Sequence, residues 1–255
     1  MLAIIAIYNQ KGGVGKTTTA LNLLGAMTLR GERPIALDLD PQAHLTGILS
    51  VAAQRPEDSI YEFFARGRPL ASIIRAARNG TDVAGAHIEM SRLDSQLGKS
   101  MNAITRLAAA LERRDEPERH VVIDCSPQLG VLSMNAIFAC DLLLVPVSAD
   151  FLAMEGARFI ERALGALEPV LKRKLPRRYV LTRFDTRRRM CAMISDQIQE
   201  EFGRSNVCAT QIAENVSLAE SPWLKKNVFE HAPQARGAEN YRALLDELMG
   251  AGLVG

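Results

Sequence analysis

The sequence predicts a doubly wound α/β fold, with a mostly parallel sheet and helices on both of its faces. Short runs rich in Val, Ile and Leu alternate with helical patterns along most of the chain. Such nearly continuous apolar runs are typical of strands that are buried on both faces of a parallel sheet. In addition, 47% of the 255 residues are hydrophobic and 24% are charged, which is the composition of a globular protein with a large core.

Six apolar runs are predicted to be strands: Ala3–Tyr8, Pro34–Leu39, His120–Asp124, Leu142–Val147, Arg178–Thr182 and Val207–Gln211. Six helical patterns lie at Lys16–Arg30, Ser100–Arg113, Val131–Ala139, Met154–Val170, Met190–Phe202 and Gly237–Met249. The stretch 50–98 is less regular and fits short helices with a weak strand. Because neither a repeat nor a linker interrupts the pattern, we expect a single domain over residues 1–255.

Charge and cysteine usage narrow the classes of function. No apolar run approaches the ~20 residues that a membrane-spanning helix needs. Four scattered cysteines without CxxC spacing indicate buried thiols rather than a metal site or disulfides. The net charge is only +2, but residues 172–189 hold nine Lys or Arg and one Asp. A mildly acidic body with one basic segment suggests a polyanionic partner, although a solvated basic surface explains the same pattern.

The strongest motif is the glycine-rich stretch Asn9–Thr18, which follows the first predicted strand and opens the first predicted helix. Glycines allow successive backbone N–H groups to turn toward a phosphate, and the helix N-terminus adds a favourable dipole. Lys16 can reach the β- and γ-phosphates, and the Thr17 hydroxyl can ligate Mg²⁺. Thr18 is expected to donate to a phosphate nearer the ribose. A glycine-rich turn alone does not explain a Gly-Lys-Thr-Thr ending at this junction.

The eight residues Lys11-Gly12-Gly13-Val14-Gly15-Lys16-Thr17-Thr18 resemble the KGGVGKTT signature of the deviant Walker ATPases ParA, MinD and nitrogenase iron protein, and the chain as a whole is most similar to ParA. The common phosphate-loop pattern would have a glycine where Gln10 stands, and it has no counterpart of Lys11. The resemblance implies that the eight residues bind ATP in a P-loop fold. It also implies that Lys11 crosses an ATP-bound homodimer to the partner's nucleotide, like an arginine finger.

Carboxylates follow two of the predicted strands. Asp38 and Asp40 stand where an α/β nucleotide site places its Mg²⁺ and water-positioning groups, and an Asp-Pro turn is the alternative explanation. The resemblance assigns Asp40 to orienting the attacking water and Asp38 to supporting Mg²⁺. Asp124 ends an apolar strand as in a Walker B motif and would hold Mg²⁺ through a water molecule. Lys11, Lys16 and Asp40 are therefore the expected catalytic residues.

The resemblance extends in the same order to Arg236–Arg242, near the end of the chain. By family position, Thr182 and Asn215 are expected near the adenine. ParA relatives bind DNA without sequence preference as ATP dimers, and two arginines that often help them are replaced here by Glu214 and Ser217. The DNA surface is therefore either weakened or moved. The remaining candidate DNA contacts are Arg183, Arg187, Arg188, Arg189, Lys225 and Lys226.

The resemblance implies a cytoplasmic, nucleoid-associated ATPase that uses ATP and Mg²⁺ to position a plasmid, a chromosome or a protein complex. A homodimer would bind double-stranded DNA, and a ParB-like or cargo-adaptor protein would stimulate slow hydrolysis. Two alternatives stay open: an ATP-switched adaptor for a protein partner without DNA, and a MinD-like ATPase on a membrane. The C-terminal helix argues against a membrane partner, because it carries Asp246 and Glu247 and no lysine.

Overall fold

The computed structural model describes residues 3–50, 55–98, 100–114 and 118–254. Its strands are β1 (Ile4–Ile7), β2 (Ile35–Leu39), β3 (Arg75–Ala76), β4 (Asp82–Ala84), β5 (Val121–Cys125), β6 (Leu142–Ser148) and β7 (Arg177–Thr182). They form one seven-stranded sheet in the order β3-β4-β2-β5-β1-β6-β7. Every neighbouring pair is parallel except β3 and β4, which are antiparallel. The predicted mostly parallel sheet is confirmed.

The α-helices of the described residues are α1 (Lys16–Leu29), α2 (His44–Ile48), α3 (Tyr61–Arg66), α4 (Leu93–Leu97), α5 (Met101–Ile104), α6 (Arg106–Glu112), α7 (Val131–Ala139), α8 (Phe151–Leu171), α9 (Arg189–Phe202), α10 (Val216–Trp223), α11 (Val228–His231) and α12 (Arg236–Gly250). Short 3₁₀ helices occupy Pro56–Asp58, Leu70–Ser72, Ile88–Arg92 and Arg204–Asn206. The helix predicted over Ser100–Arg113 is divided at Thr105 into α5 and α6. None of the helices in the described ranges is long and apolar enough to cross a membrane.

Alternating side chains of the strands build two separate apolar cores. In β1, Ile4 and Ala6 face the core that α3 to α9 cover, whereas Ile5 and Ile7 face the core that α1, α2 and α10 to α12 cover. This alternation follows from the two-residue repeat of a strand. Because both faces are covered, most strand residues are apolar, and Asp38 in β2 and Asp124 in β5 are exceptions near the carboxyl ends of their strands.

The strand predicted over Val207–Gln211 is wrong. Val207 makes only an isolated parallel bridge with Tyr179. The ladder does not continue because the Glu247 carboxylate of α12 accepts hydrogen bonds from the backbone N–H groups of Ala209 and Thr210, at 2.7 and 2.8 Å. A side chain distant in sequence thus takes the donors that a strand would use.

The strand order places the polar motifs beside one another. β1, which leads into the glycine-rich stretch, lies between β5 and β6, and β5 also pairs with β2. In the β2–β5 register Asp38 stands opposite Asp124. The carboxyl ends of parallel strands are where open α/β sheets bind ligands. The predicted phosphate loop and the predicted acidic residues therefore meet at one edge of the sheet.

Candidate nucleotide-binding site

The loop between β1 and α1 has the backbone conformation of a phosphate cradle. Gly13 and Gly15 have φ angles of 75° and 87°, in the left-handed region that side-chain-bearing residues rarely adopt. Gly15 is also the N-cap of α1, and no side chain caps the helix there. The first N–H groups of α1 are consequently available to an anion, and the positive end of the helix dipole faces the same space.

Neighbouring elements hold this loop at several points. The Asn9 amide donates to the Pro146 carbonyl at 2.7 Å, and its oxygen accepts from the Lys11 backbone N–H at 2.9 Å. The Thr182 hydroxyl, at the end of β7, donates to the Val14 carbonyl at 2.9 Å. On α8, a Cβ built at Gly156 would lie only 3.0 Å from Asn9, so a glycine allows the helix to approach the loop. The cradle is therefore fixed before any ligand binds.

Lys16 lies beneath the loop and is almost completely buried, with 8% of its surface exposed. Its ammonium group donates to the Lys11 carbonyl at 3.0 Å. Burial lowers the pKa of Lys16, and the carboxylates of Asp124 and Asp40 oppose part of this change. A buried cation with one protein hydrogen bond retains donors for an anionic ligand, since an ammonium group has three.

Lys11 points away from this cradle and forms an ion pair with Asp150 of the same chain. Asp150 also accepts a hydrogen bond from the Ser148 hydroxyl at 2.7 Å. The two side chains are partly exposed, at 28% for Lys11 and 48% for Asp150. Pairs of this kind contribute only ~0–1 kcal/mol, so Lys11 can exchange this partner for another at little cost.

Asp38 is fully buried and its carboxylate is well satisfied. One oxygen accepts hydrogen bonds from the Thr46 backbone N–H and hydroxyl, at 2.9 and 2.7 Å, and the other accepts from the Asp40 backbone N–H at 3.1 Å. Burial raises the pKa of Asp38 to about 6, although these hydrogen bonds oppose the change. Asp40 is more exposed, and its carboxylate accepts from the Gln42 backbone N–H at 3.0 Å. Asp38 thus fixes the turn that presents Asp40.

Asp124 differs from Asp38 because its carboxylate is buried without well-formed hydrogen bonds. It is 1% exposed, and neither carboxylate oxygen accepts a well-formed hydrogen bond from the described residues. Burial raises the pKa of Asp124 well above its usual range, the Asp38 carboxylate raises it further, and the Thr17 hydroxyl offsets only part of the rise. A buried carboxylate without a donor is costly, and a hydrated cation between Asp124 and Thr17 would satisfy it.

A cavity of about 230 Å³ opens beside the loop. Two loop glycines, Gly13 and Gly15, line it together with Thr18, Thr182 and Asn215. The structure therefore brings the predicted adenine-side residues to the predicted phosphate residues. Further lining residues, which the sequence analysis did not assign to this site, are Arg183, Ile212, Ala213, Glu214, Leu218, Ala219 and Tyr241.

One residue of the motif Arg236–Arg242, Tyr241, lines this cavity, and its neighbours hold the surrounding elements together. A Cβ at Gly237 would lie 2.6 Å from the Leu218 side chain, so only glycine lets α12 pack this closely against α10. Asn240 accepts a hydrogen bond from the Ala213 backbone N–H at 3.0 Å, and the Tyr241 hydroxyl lies 3.2 Å from that of Thr19. These contacts explain why a motif more than 200 residues from the loop belongs to the same site.

Four of the nine basic residues in the segment 172–189 form ion pairs within the described part of the chain. Arg177 forms ion pairs with Glu161 and Glu168, at 2.7 and 2.6 Å, so it faces its own fold. Nearer the cavity, Glu214 pairs with Arg183 at 3.4 Å and with Arg188 at 3.5 Å. These two arginines remain exposed, at 62% and 64% of their side chains.

Asp185 partly neutralises the next arginines. It pairs with Arg187 at 2.9 Å and with Arg188 at 3.5 Å, and these contacts, led by the Arg187 hydrogen bond, lower the pKa of Asp185 to about 2. Arg189 begins α9 and is exposed. Lys225 and Lys226 are also exposed, but they follow the C-terminal end of α10 while Glu214 precedes its N-terminal end. The six predicted DNA contacts thus form two groups at opposite ends of α10.

Comparisons with known proteins identify the family. The family model described as AAA domain matches residues 2–176. The chain is 36% identical to the chromosome-partitioning ATPase Soj of Thermus thermophilus, over 96% of this chain and 94% of that protein. It is 34% identical to the chromosome partitioning protein ParA of Caulobacter vibrioides, over 97% of this chain and 94% of that protein. The chain belongs to the ParA/Soj family of ATPases.

Solved structures agree with this assignment. McdA of Cyanothece, in an ATP complex, superimposes with a TM-score of 0.87 at 19% identity and covers 98% of this chain and 96% of that chain. Cobyrinic acid a,c-diamide synthase of Mycobacterium smegmatis, with a bound ATP analogue and magnesium, has a TM-score of 0.82 at 25% identity, over 98% of this chain and 95% of that chain. The predicted ParA-type resemblance and P-loop fold are confirmed.

The ParA/Soj site contains four residues that the sequence analysis did not single out. Thr46 holds Asp38, Asp150 holds Lys11, and Leu218 and Tyr241 form the apolar wall of the cavity. Tyr241 alone had a signal, because it stands in a motif that the resemblance includes. The other three are common residues whose role depends on contacts between distant parts of the chain.

Proposed function

We propose that this ParA/Soj-family chain binds ATP and Mg²⁺, dimerises in that state, binds double-stranded DNA without sequence preference and hydrolyses ATP slowly to position a cargo. The main support for nucleotide binding is the Asp124 carboxylate, which is buried without well-formed hydrogen bonds. It lies beside Thr17 and Lys16, at the N-terminus of α1. A buried charge that costs stability is expected where a ligand satisfies it. The proposal also rests on relatives named as partition ATPases and on related structures that contain ATP or an ATP analogue.

In this proposal the phosphates lie on the backbone of residues 11–18, and Lys16 contacts the β- and γ-phosphates. Thr17 and Asp124 would hold Mg²⁺, and Asp38 would support this arrangement through the Asp40 turn. When bound, Mg²⁺ neutralises charge that develops on the transferring phosphoryl group. Few protein ligands are needed, because Mg²⁺ retains waters and takes further oxygens from phosphate. The adenine occupies the cavity beside Thr182 and Asn215.

Hydrolysis requires two protomers. Lys11 leaves Asp150, crosses the dimer interface and contacts the partner's γ-phosphate, while Asp40 orients the attacking water in its own site. Since the Lys11–Asp150 pair is partly exposed, this exchange is inexpensive. A ParB-like or cargo-adaptor protein would accelerate the step, and the released ADP form would return to a monomer.

We expect Mg²⁺-dependent ATP hydrolysis whose rate per protomer rises with protein concentration, because each site is completed by a second chain. A phosphate-release assay over a hundredfold range of protein concentration measures this dependence. Lys16→Ala is the control for contaminating activity. A constant rate per protomer that Lys16→Ala abolishes would contradict dimer-dependent hydrolysis, and no Mg²⁺-dependent activity would contradict the ATPase.

The DNA part of the proposal rests on exposed arginines and lysines at both ends of α10 and on the family's partition role. In a dimer the number of phosphate contacts doubles, and binding falls steeply with salt. Because Arg183 and Arg188 share Glu214, part of their charge is cancelled before DNA arrives. This cancellation favours, as a second candidate function, an ATP-switched adaptor for a protein partner. We place the DNA-binding form in the cytoplasm, on the nucleoid.

Glu214→Gln should tighten ATP-dependent DNA binding several-fold and steepen its salt dependence, because Arg183 and Arg188 each lose the ion pair with Glu214. Each additional phosphate contact adds ~0.9 to the slope of log K against log salt. A fluorescence-anisotropy titration of random duplex DNA at several salt concentrations measures both effects. Glu200→Gln, at an exposed position near the C-terminal end of α9, is the control with the same charge change. Equal DNA affinity of the wild type, Glu214→Gln and Glu200→Gln would show that the DNA-binding surface lies elsewhere, or would support the adaptor for a protein partner.

A further inference from the structure

A second and larger cavity lies at the other end of β2 from the nucleotide site. Its volume is about 690 Å³, and Ile35, the first residue of β2, forms part of its floor. Phe63 of α3, Leu70 and Leu111 of α6 add buried apolar walls, with exposures of 6%, 9% and 2%. Cavities of ~300–1,000 Å³ with mainly apolar walls are typical of sites for small organic ligands.

The charged side chains among the described residues that line this cavity are all arginines. Its lining includes three arginines, Arg68, Arg113 and Arg114, and no Asp or Glu of the described residues. Arg68 donates to the Glu57 backbone carbonyl at 2.8 Å and to the Ser72 hydroxyl at 3.2 Å, which are neutral acceptors. Arg114 donates to the Leu111 carbonyl at 2.7 Å.

Arg113 is exposed and takes part in none of the ion pairs found between residues of the described ranges. A guanidinium group stays charged at all physiological pH values and matches carboxylate, phosphate or sulfonate in a two-point hydrogen bond. Apolar walls with a cationic rim therefore complement a ligand that has an apolar body and an anionic head.

We propose that this cavity binds a small amphipathic anion, with an alkyl or aryl body against Phe63 and Leu70 and an acidic head on the arginine rim. The site is separate from the phosphate loop, since none of its lining residues belongs to the nucleotide cavity. The proposal does not depend on the proposed ATPase function. The two sites are nevertheless connected through β2, which begins at the cavity and leads to Asp38 and Asp40.

Isothermal titration calorimetry with dodecanoate tests this site on the full chain. We expect one dodecanoate per protomer, at least tenfold tighter than dodecanol, because the alcohol lacks a charge for the arginines. Decanoate should bind roughly fifteenfold more weakly than dodecanoate, since each of the two missing CH₂ groups contributes about a factor of four. Lys16→Ala should bind dodecanoate like the wild type, which separates this cavity from the phosphate loop.

Two kinds of variant locate the binding. Arg113→Glu should weaken dodecanoate at least tenfold without changing dodecanol binding, and Arg162→Glu, an exposed position on α8 outside the cavity, is its matched control. Ala110→Phe fills the cavity from α6 and should abolish binding. If Ala110→Phe lowers the circular-dichroism melting temperature, Ala71→Phe at the exposed rim replaces it.

Any of three results would overturn the proposal: no dodecanoate binding at millimolar concentration, equal affinity for dodecanol and dodecanoate, or equal dodecanoate affinity in the wild type, Arg113→Glu and both cavity-filling variants. Loss of dodecanoate binding in Lys16→Ala would place the anion in the phosphate loop instead. Failure of ATP hydrolysis leaves each of these outcomes unaffected, so the two proposals are tested separately.

Discussion

Replacing Lys11 by alanine should lower the rate of ATP hydrolysis by about three orders of magnitude, while each protomer still binds ATP. The expectation follows from the position of Lys11, which points out of its own cradle toward Asp150, whereas Lys16 lies beneath the loop. Cationic groups supplied in trans to a phosphoryl transfer are worth ~10³–10⁵ in rate. Steady-state phosphate release and equilibrium binding of a fluorescent ATP analogue measure the two quantities.

Mixing two inactive variants distinguishes an action in trans from one in cis. Asp40→Ala removes the group that orients water but retains Lys11, and Lys11→Ala retains Asp40. A mixed dimer has one site with both groups if Lys11 acts across the interface, so an equimolar mixture should recover roughly a quarter of the wild-type rate per protomer by random pairing. A mixture as inactive as its components, under conditions where both dimerise, would place Lys11 in its own site.

Asp124→Asn should abolish ATP hydrolysis and at the same time raise the stability of the ligand-free protein. It should prevent Mg²⁺-dependent ATP hydrolysis, because the carboxylate that would hold the hydrated cation is gone. It should also stabilise the ligand-free protein at neutral pH by about 1–3 kcal/mol, because an uncompensated buried charge is removed. Phosphate release measures the first effect, and thermal unfolding without nucleotide measures the second. With Mg²⁺-ATP, only the wild type should gain stability from the ligand.

The pH dependence of this stabilisation has a definite sign. Burial, and then the Asp38 carboxylate, raise the folded-state pKa of Asp124 above its unfolded value, so the folded wild type binds protons more readily than the unfolded chain. The wild type therefore gains stability as the pH falls through the folded-state pKa, and loses it as the pH rises. The advantage of Asp124→Asn should therefore be largest at pH values above the folded-state pKa of Asp124, and it should shrink as the pH falls below that pKa.

Asp196→Asn is the matched control, since it neutralises an exposed carboxylate on α9. It should leave both the ligand-free stability and its pH dependence close to those of the wild type. A destabilised Asp124→Asn at neutral pH would show that the carboxylate is compensated within the fold.

Much of the fold was predictable because it depends on local patterns. The apolar runs of β1, β2, β5, β6 and β7 predicted the position of every strand end to within one residue, since strands buried on both faces consist mainly of apolar residues. The glycine-rich loop was predictable for the same reason. Its backbone conformation at Gly13 and Gly15 excludes most other residues, so the glycines in the sequence indicate the geometry of the loop.

The remainder depends on contacts between distant residues. Glu247 prevents the strand predicted at 207–211, although it lies about 40 positions away and resembles any surface glutamate. Thr46 donates a hydrogen bond to Asp38, whereas Asp124 has no well-formed hydrogen bond from the described residues. The sequence does not show this difference, because both residues are Asp near the end of a strand. Likewise, the charge of +8 over residues 172–189 does not indicate that Arg177 forms ion pairs within the fold.

Measuring DNA binding in three nucleotide states separates an ATP-switched DNA-binding protein from an adaptor for a protein partner. Co-sedimentation with random-sequence duplex DNA would compare Mg²⁺-ATP, Mg²⁺-ADP and no nucleotide, at two salt concentrations, with Lys16→Ala as the control. We expect binding with ATP alone, weakened by salt and absent in the variant. ATP-dependent dimerisation without DNA binding in any state would contradict this expectation and leave the protein-partner adaptor in its place.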